Sequence, residues 1–370
     1  HNSNFTNNKA SDKGNYGGSA ITFNSVVNVD FNNCIFDSNA AKANGALMFD
    51  NFRNVKYTDC KFINNNATNG GAMYYTGSDE NRKTNVTYIR CLFDNNRAVS
   101  NNGGAIYTLG NNVTIIESNF TNNHAYSWGG AIVMGDKIGN NPIIKTYGLN
   151  VYDSKFVNNT AWDAGGIDCY FTRNAHIYNS TFESNKADRT GGALYMTGLY
   201  GVVDNCNFTA NEAINGSAIM YIPDAVVEIG QTRANITNCN FKDNVATGTS
   251  TLWLQSSHSR VISCNFTNNV AKDAGGIYVT IDGVTISKTN FIRNNATHNG
   301  GAIYSSASES SFANINFFNN SASNYGSAVY LFGEDCNLTN STFSDNRGEY
   351  QIVWNIDSGN IIGCYYLNPP

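Results

Sequence analysis

The sequence predicts an all-β chain wound as a right-handed parallel β-helix, a solenoid of about 13 rungs with three short strands in each. Three observations carry this. A Phe-x-x-Asn pair recurs thirteen times, from Phe5/Asn8 to Phe343/Asn346, and a further repeat is expected at Cys364-x-Tyr366. Neighbouring Phe positions lie 25 to 36 residues apart, so a base unit of about 26 residues carries occasional insertions. Within each unit the apolar residues alternate, as strands require, and none shows the 3.6-residue period of a helix.

The first strand of a unit follows a glycine pair: GGAM at 70–73, GGAI at 103–106, 129–132 and 300–303, GGAL at 191–194. The second is marked by alternating apolar residues such as Val113 and Ile115, or Val284 and Ile286. The third runs from a small residue to the Phe, as in Ser118-x-Phe120. Asn or Asp often precedes it (Asn33, Asp59, Asp153, Asn179, Asn205, Asn238, Asn314, Asn340), where a tight bend favours a left-handed residue. A three-strand unit cannot bury its own apolar face, but stacking on its neighbours buries it. Handedness follows from the general crossover preference. The Phe side chains are expected to form a buried stack, and the Asn amides a hydrogen-bonded ladder at a corner.

Cys34, Cys60, Cys91, Cys206, Cys239, Cys264 and Cys364 share the inward slot two residues before the Phe or its counterpart; they read as small buried apolar residues. No C-x-x-C pair suggests zinc, and no cofactor is expected. The glycine pairs are not phosphate loops, because Ala-Ile and a strand follow where Lys-Ser/Thr and a helix are needed. Net charge is −5 and 14% of residues are charged, which argues against a nucleic-acid surface. No apolar run approaches the roughly 18 residues of a membrane span. Residues 1–368 read as a single β-helix domain and 369–370 as the start of a linker, the whole a fragment of a longer protein. A monomer is expected. The five His residues share no slot, and no order suggests a catalytic triad.

The repeated FxxN with GGA(I/L) resembles the repeats of chlamydial polymorphic outer-membrane proteins. The Asn- and Tyr-rich version with Cys before the Phe looks more like the adhesin-like surface proteins of methanogenic archaea. This resemblance implies a β-helix at an extracellular cell surface, adhesive rather than catalytic, with no catalytic residues to carry over.

A binding function is then expected on what the repeat leaves free. A stripe of outward positions holds Tyr195, Met220, Trp253, Tyr278, Tyr304 and Tyr330 on successive rungs, with Tyr74 and Tyr107 earlier. It suits either ligand stacking or a stabilising ladder. A second cluster has Tyr126 and Trp162 in one slot of adjacent units, with Trp128, Asp163, Asp188 and Arg189 in neighbouring loops and Asp168 where the stripe has Tyr. Insertions at 78–86, 135–148 and 222–234 form a third candidate face. The expected function is a non-catalytic adhesin domain whose partner is a glycan or surface protein of another cell. The alternatives are a polysaccharide lyase or hydrolase with a groove near Trp162 and Asp163, and a passive stalk. Sequons such as Asn66, Asn158 and Asn295 are abundant.

Overall fold

The computed structural model describes residues 1–10, 17–76, 84–109, 112–135, 148–170, 172, 174–198, 200–223, 233–354 and 358–367. Its described residues hold strands and no helix. The chain forms two compact units, one of residues 1–188 with 193–197, the other of residues 189–192 with 198–370. Each is a parallel β-solenoid. The candidate insertions and residues 369–370 lie largely or wholly outside the described residues.

In the first unit the Phe-bearing strands run from Asn4–Thr6 through Ile35–Asp37, Lys61–Ile63, Leu92–Asp94, Asn119–Thr121 and Lys155–Val157 to Thr181–Glu183. They pair in parallel and in register, Phe on Phe. Ring centroids lie 4.8 Å apart for Phe120 and Phe156 and again for Phe156 and Phe182, with the planes nearly parallel. The second unit repeats this from Phe208 to Phe343, and Tyr366 pairs with Phe343 at the expected last repeat.

The structure departs from three strands per rung. Every rung from Asn8 to Asn320 carries a fourth, usually two-residue strand just after the ladder Asn, such as Arg97–Ala98, His124–Ala125 and Thr160–Asp163 in the first unit. The second unit has Glu212–Ala213, Val245–Ala246 and Val270–Ala271. A two-residue strand is too short to alternate visibly, so the pattern gives no sign of it.

The Asn ladder explains both corners that flank this strand. Asn123 is fully buried, yet its amide is fully bonded. Its Nδ2 donates to Asn159 Oδ1 at 2.9 Å and to the Phe93 carbonyl at 3.0 Å. Its Oδ1 accepts from Asn96 Nδ2 at 2.9 Å and from the Asn96 backbone N–H at 3.0 Å. The same four bonds recur at Asn65, Asn96 and Asn159. Two acceptor sites and two donors are the whole capacity of an amide, which is why this polar side chain sits in a core without penalty. The predicted left-handed corners are present, for example at Asn33, Asp59, Asn179 and Asn340 with φ of 51°, 55°, 50° and 48°. A second left-handed residue, unpredicted, immediately precedes each ladder Asn, as at Asn64, Asn95, Asn122 and Asn268, each with φ between 52° and 55°. The three-residue Phe strand is thus bracketed by two left-handed turns per rung, and Asn accepts that conformation at lower cost than most residues.

The cysteine slot is also more polar than expected. Where Ser replaces Cys, the hydroxyl accepts the previous rung's backbone N–H and donates to the carbonyl two residues back. Ser118 Oγ accepts from Cys91 N at 3.0 Å and donates to Ile116 O at 2.8 Å. The thiols follow the same pattern at sulfur distances: Cys60 Sγ accepts from Cys34 N at 3.5 Å and donates to Thr58 O at 3.3 Å. The slot favours a small side chain that both donates and accepts, so Cys, Ser and Thr exchange there, with Ile315 as the exception. All nine cysteines are free thiols. The hydrogen bond to Cys60 and burial hold the Cys91 thiol up and protonated.

Candidate functional site

The fourth sheet of the first unit builds a groove of about 740 Å³, lined by His124, Ala125, Tyr126, Ser127, Thr160, Ala161, Trp162, Lys186 and Asp188. Its construction follows from the repeat. After each ladder Asn the chain offers an outward residue, an inward small residue, and a second outward residue. The inward residues Ala98, Ala125 and Ala161 pack together as an alanine floor. The first outward slot holds Arg97, His124, Thr160 and Lys186 on four successive rungs. Arg97 pairs with His124 and His124 with Thr160, and Lys186 N bonds Asn159 O as Thr160 N bonds Asn123 O. The second outward slot holds Val99, Tyr126, Trp162 and Asp188.

Tyr126 is 66% exposed and Trp162 50% exposed. Neither has another aromatic ring against it among the described residues. His124 is half-buried, and its Nδ1 lies 2.8 Å from Thr160 Oγ1. Burial and then the Arg97 guanidinium push its imidazole below the ordinary range, while Asp188 pulls the other way. The ring is therefore neutral near pH 7, suited to bonding a hydroxyl.

The other predicted residues are placed differently. Asp163 is 3% exposed and pairs across the rungs with Trp128, so it is not a groove carboxylate. Trp128 is half-buried against Tyr107, Leu109 and Val133, with its ring 5.9 Å from Tyr170. Asp168 is buried in register between Val133 and Tyr195. Arg189 is exposed and belongs to the second unit.

The aromatic stripe is only partly outward. Tyr107 and Met220 are buried, and Tyr74, Tyr195, Trp253, Tyr278, Tyr304 and Tyr330 are half-buried. Tyr278 stacks on Tyr304 at 4.8 Å and Tyr304 on Tyr330 at 5.2 Å, while Trp253 meets Tyr278 edge-on at 5.7 Å. Rings stacked on one another spend their faces and present edges to solvent, so this stripe is a stabilising ladder. Tyr126 and Trp162 differ from it by keeping their faces free.

Three lining residues, His124, Thr160 and Lys186, are not picked out from sequence. Their common signal is the slot directly after the ladder Asn, which reads as plain corner until the two-residue strand is recognised. Among the described residues no group of three or more His, Cys, Asp or Glu is placed to hold a metal. Among the described residues no helix is long and apolar enough to cross a membrane.

Residues 224–368 match the family model for a right handed beta helix region. Residues 90–109, 117–133 and 179–197 match the Chlamydia polymorphic membrane protein repeat. No curated protein matches the chain by sequence. The all-β parallel solenoid and the chlamydial-type repeat thus stand together, and the combination fits a surface protein. The repeat matches take in His124, Tyr126, Lys186 and Asp188, whereas Thr160 and Trp162 fall in a turn between them.

Proposed function

We propose that this is a non-catalytic adhesive domain displayed at an extracellular cell surface, which binds a glycan of another cell through the Tyr126–Trp162 groove. One observation carries the reading: two exposed rings with free faces on adjacent rungs, over an alanine floor and beside His124, Thr160, Lys186 and Asp188. Sugar rings bind by laying their C–H faces on aromatic faces while polar neighbours take the hydroxyls. Among the described residues the groove lining has a single carboxylate, Asp188, since Asp163 is buried. Glycoside hydrolysis ordinarily uses two flanking carboxyls, so the lining favours binding over cleavage. The surface placement rests on the repeat type, and the resemblance to methanogen adhesin-like proteins supports an archaeal source.

A glycan array with the intact chain tests this. Binding to at least one glycan class is expected, and Trp162→Ala or Tyr126→Ala is expected to weaken it by about 2 kcal/mol, roughly thirtyfold in Kd. Both residues are exposed, so folding is expected to survive. Release of cleaved product from a polysaccharide would replace this reading with the enzymatic one, and no binding to any glycan or cell would leave a passive stalk.

A further inference from the structure

We propose that the groove takes an acidic glycan, a chain of sugars bearing carboxylate or sulfate groups, lying along the stacking direction of the rungs. The inference rests on the glycan-binding reading above and adds the charge and direction of the ligand. Its first support is the distribution of charge in one slot. In the first unit the outward position after each ladder Asn holds Lys9, Ala40, Asn66, Arg97, His124, Thr160 and Lys186, with three permanent cations and no acid. In the second unit the same slot holds Glu212, Val245, Val270, Asn295, Ser321 and Arg347, one cation offset by one acid. The chain as a whole is acidic at −5, so the cationic column at the groove runs against the composition.

The second support is spacing. Tyr126 and Trp162 sit on the two middle rungs of a four-rung set, and the cations sit in the column beside them on the outer two, Arg97 below and Lys186 above. Rungs are about 4.8 Å apart, so Arg97 and Lys186 are separated by about 14 Å along the stack. A short extended oligosaccharide that lays successive rings over Tyr126 and Trp162 brings its acidic substituents toward the cationic column. His124 and Thr160, held together at 2.8 Å between the two cations, face the middle of such a chain and suit its hydroxyls. Asp188, in the column of Tyr126 and Trp162, is suited to accept hydroxyl hydrogens.

The test is calorimetric titration of the intact chain with three probes: an oligomer of uronic acid, its methyl ester, and a sulfated oligosaccharide. The acid and ester present the same rings and differ in charge alone. An anionic probe is expected to bind about tenfold tighter than the ester at low salt, and the advantage is expected to vanish near 1 M salt, where the screening length is about 3 Å. Arg97→Gln and Lys186→Gln are each expected to cut the anionic advantage by about threefold to fivefold, the acid losing more affinity than the ester, the scale of one exposed charge contact. Trp162→Ala is expected to weaken acid and ester alike. Tight binding of the sulfated probe alone would support the proposal and name sulfate as the anion. Equal binding of acid and ester, unmoved by Arg97→Gln and Lys186→Gln, would overturn the acidic-ligand inference and leave glycan binding standing. No binding of any probe, together with an empty glycan array, would overturn both.

Discussion

Asn123→Asp is expected to destabilise the first unit by about 4 kcal/mol or more at pH 7, and by much less near pH 3. The replacement keeps the shape of the amide and changes only its hydrogen bonding. Asn123 Oδ1 accepts from Asn96 and an Asp oxygen does so equally well. Asn123 Nδ2 points at two acceptors, the Phe93 carbonyl and Asn159 Oδ1. A carboxylate oxygen there faces two oxygens at hydrogen-bond distance, fully buried, with no donor to offer. Such a carboxyl protonates, and its pKa in the folded chain rises above the unfolded value near 3.9. A rise of about three units corresponds to about 4 kcal/mol. Below the unfolded pKa both states carry the proton and this cost is absent. It grows as pH rises through the window between the unfolded and folded values, and is constant above. In the acid form one O–H replaces two N–H donors, so one acceptor stays unsatisfied and a residual cost of about 1–3 kcal/mol remains. Urea unfolding of the variant and the parent at both pH values checks this. A deficit independent of pH would mean that the ladder opens to water around the new side chain.

The parts of the fold legible in sequence are those in which one residue type does one job. Phe93, Phe120 and Phe156 recur because each fills the same core position, and Asn33 or Asn179 recurs because a left-handed corner comes next. The fourth strand was hidden because His124–Ala125 gives a single inward residue, and one point defines no period. The second left-handed turn was hidden beside the first explanation found for Asn: at Asn122-Asn123 one residue supplies the turn and the other the ladder, and only coordinates separate them. Cys91 and Ser118 read as small residues because sequence shows size before it shows that both bond the same backbone groups.

In the candidate site, Tyr126 and Trp162 were legible because the floor alanines fix their slot. Asp163 was not, owing to a one-residue shift. The glycine pair of Asp163-Ala164-Gly165-Gly166 invites alignment with Gly129-Gly130. Instead Gly129 N bonds Asp163 O as Gly103 N bonds Trp128 O, and Gly130 N bonds Ala164 O as Gly104 N bonds Gly129 O. Ala164 therefore takes the left-handed place, with φ of 54° against 60° at Gly129, and Asp163 falls opposite Trp128 rather than in the groove. For the stripe from Trp253 to Tyr330 the sequence leaves both ligand stacking and a stabilising ladder open. Sequence places rings on one face of a sheet, but only the coordinates show which neighbours stack on each other, as Tyr278, Tyr304 and Tyr330 do, and which keep their faces free, as Tyr126 and Trp162 do.

Gly104→Ala is expected to cost at least about 4 kcal/mol and to abolish groove binding, although Gly104 lies outside the groove. The two glycines of the pair are there for different reasons. Gly103 has φ of 68°, the left-handed region, so a side chain there is strained. Gly104 has no such φ, and its constraint is contact alone. A Cβ there would fall on the carbonyl oxygen of Gly130 and lie 2.7 Å from His124 N and 2.8 Å from His124 C. All three are backbone atoms, and no rotamer relieves them. Gly130 is held in the next rung by its bond to Ala164 O, and His124 N is held to Asn96 O at 2.9 Å. Room for the methyl requires breaking one of these ties, and the His124 side is where the groove begins. Gly148→Ala separates the two kinds of cost. Its φ is 71° but the nearest atom to an added Cβ is Asn112 Oδ1 at 3.1 Å, the end of a side chain. About 1–2 kcal/mol of strain is expected there, with groove binding intact. Thermal unfolding of both variants, with glycan titration at a temperature where each is folded, checks the contrast. Equal costs at the two positions would mean that backbone conformation, and not the close passage of one rung past the next, selects the second glycine. A folded Gly104→Ala chain that still binds would detach the groove from the glycine strand beneath it. The expected loss instead ties the site to the repeat, because the glycine that lets rungs approach also fixes where His124, Tyr126 and the alanine floor stand.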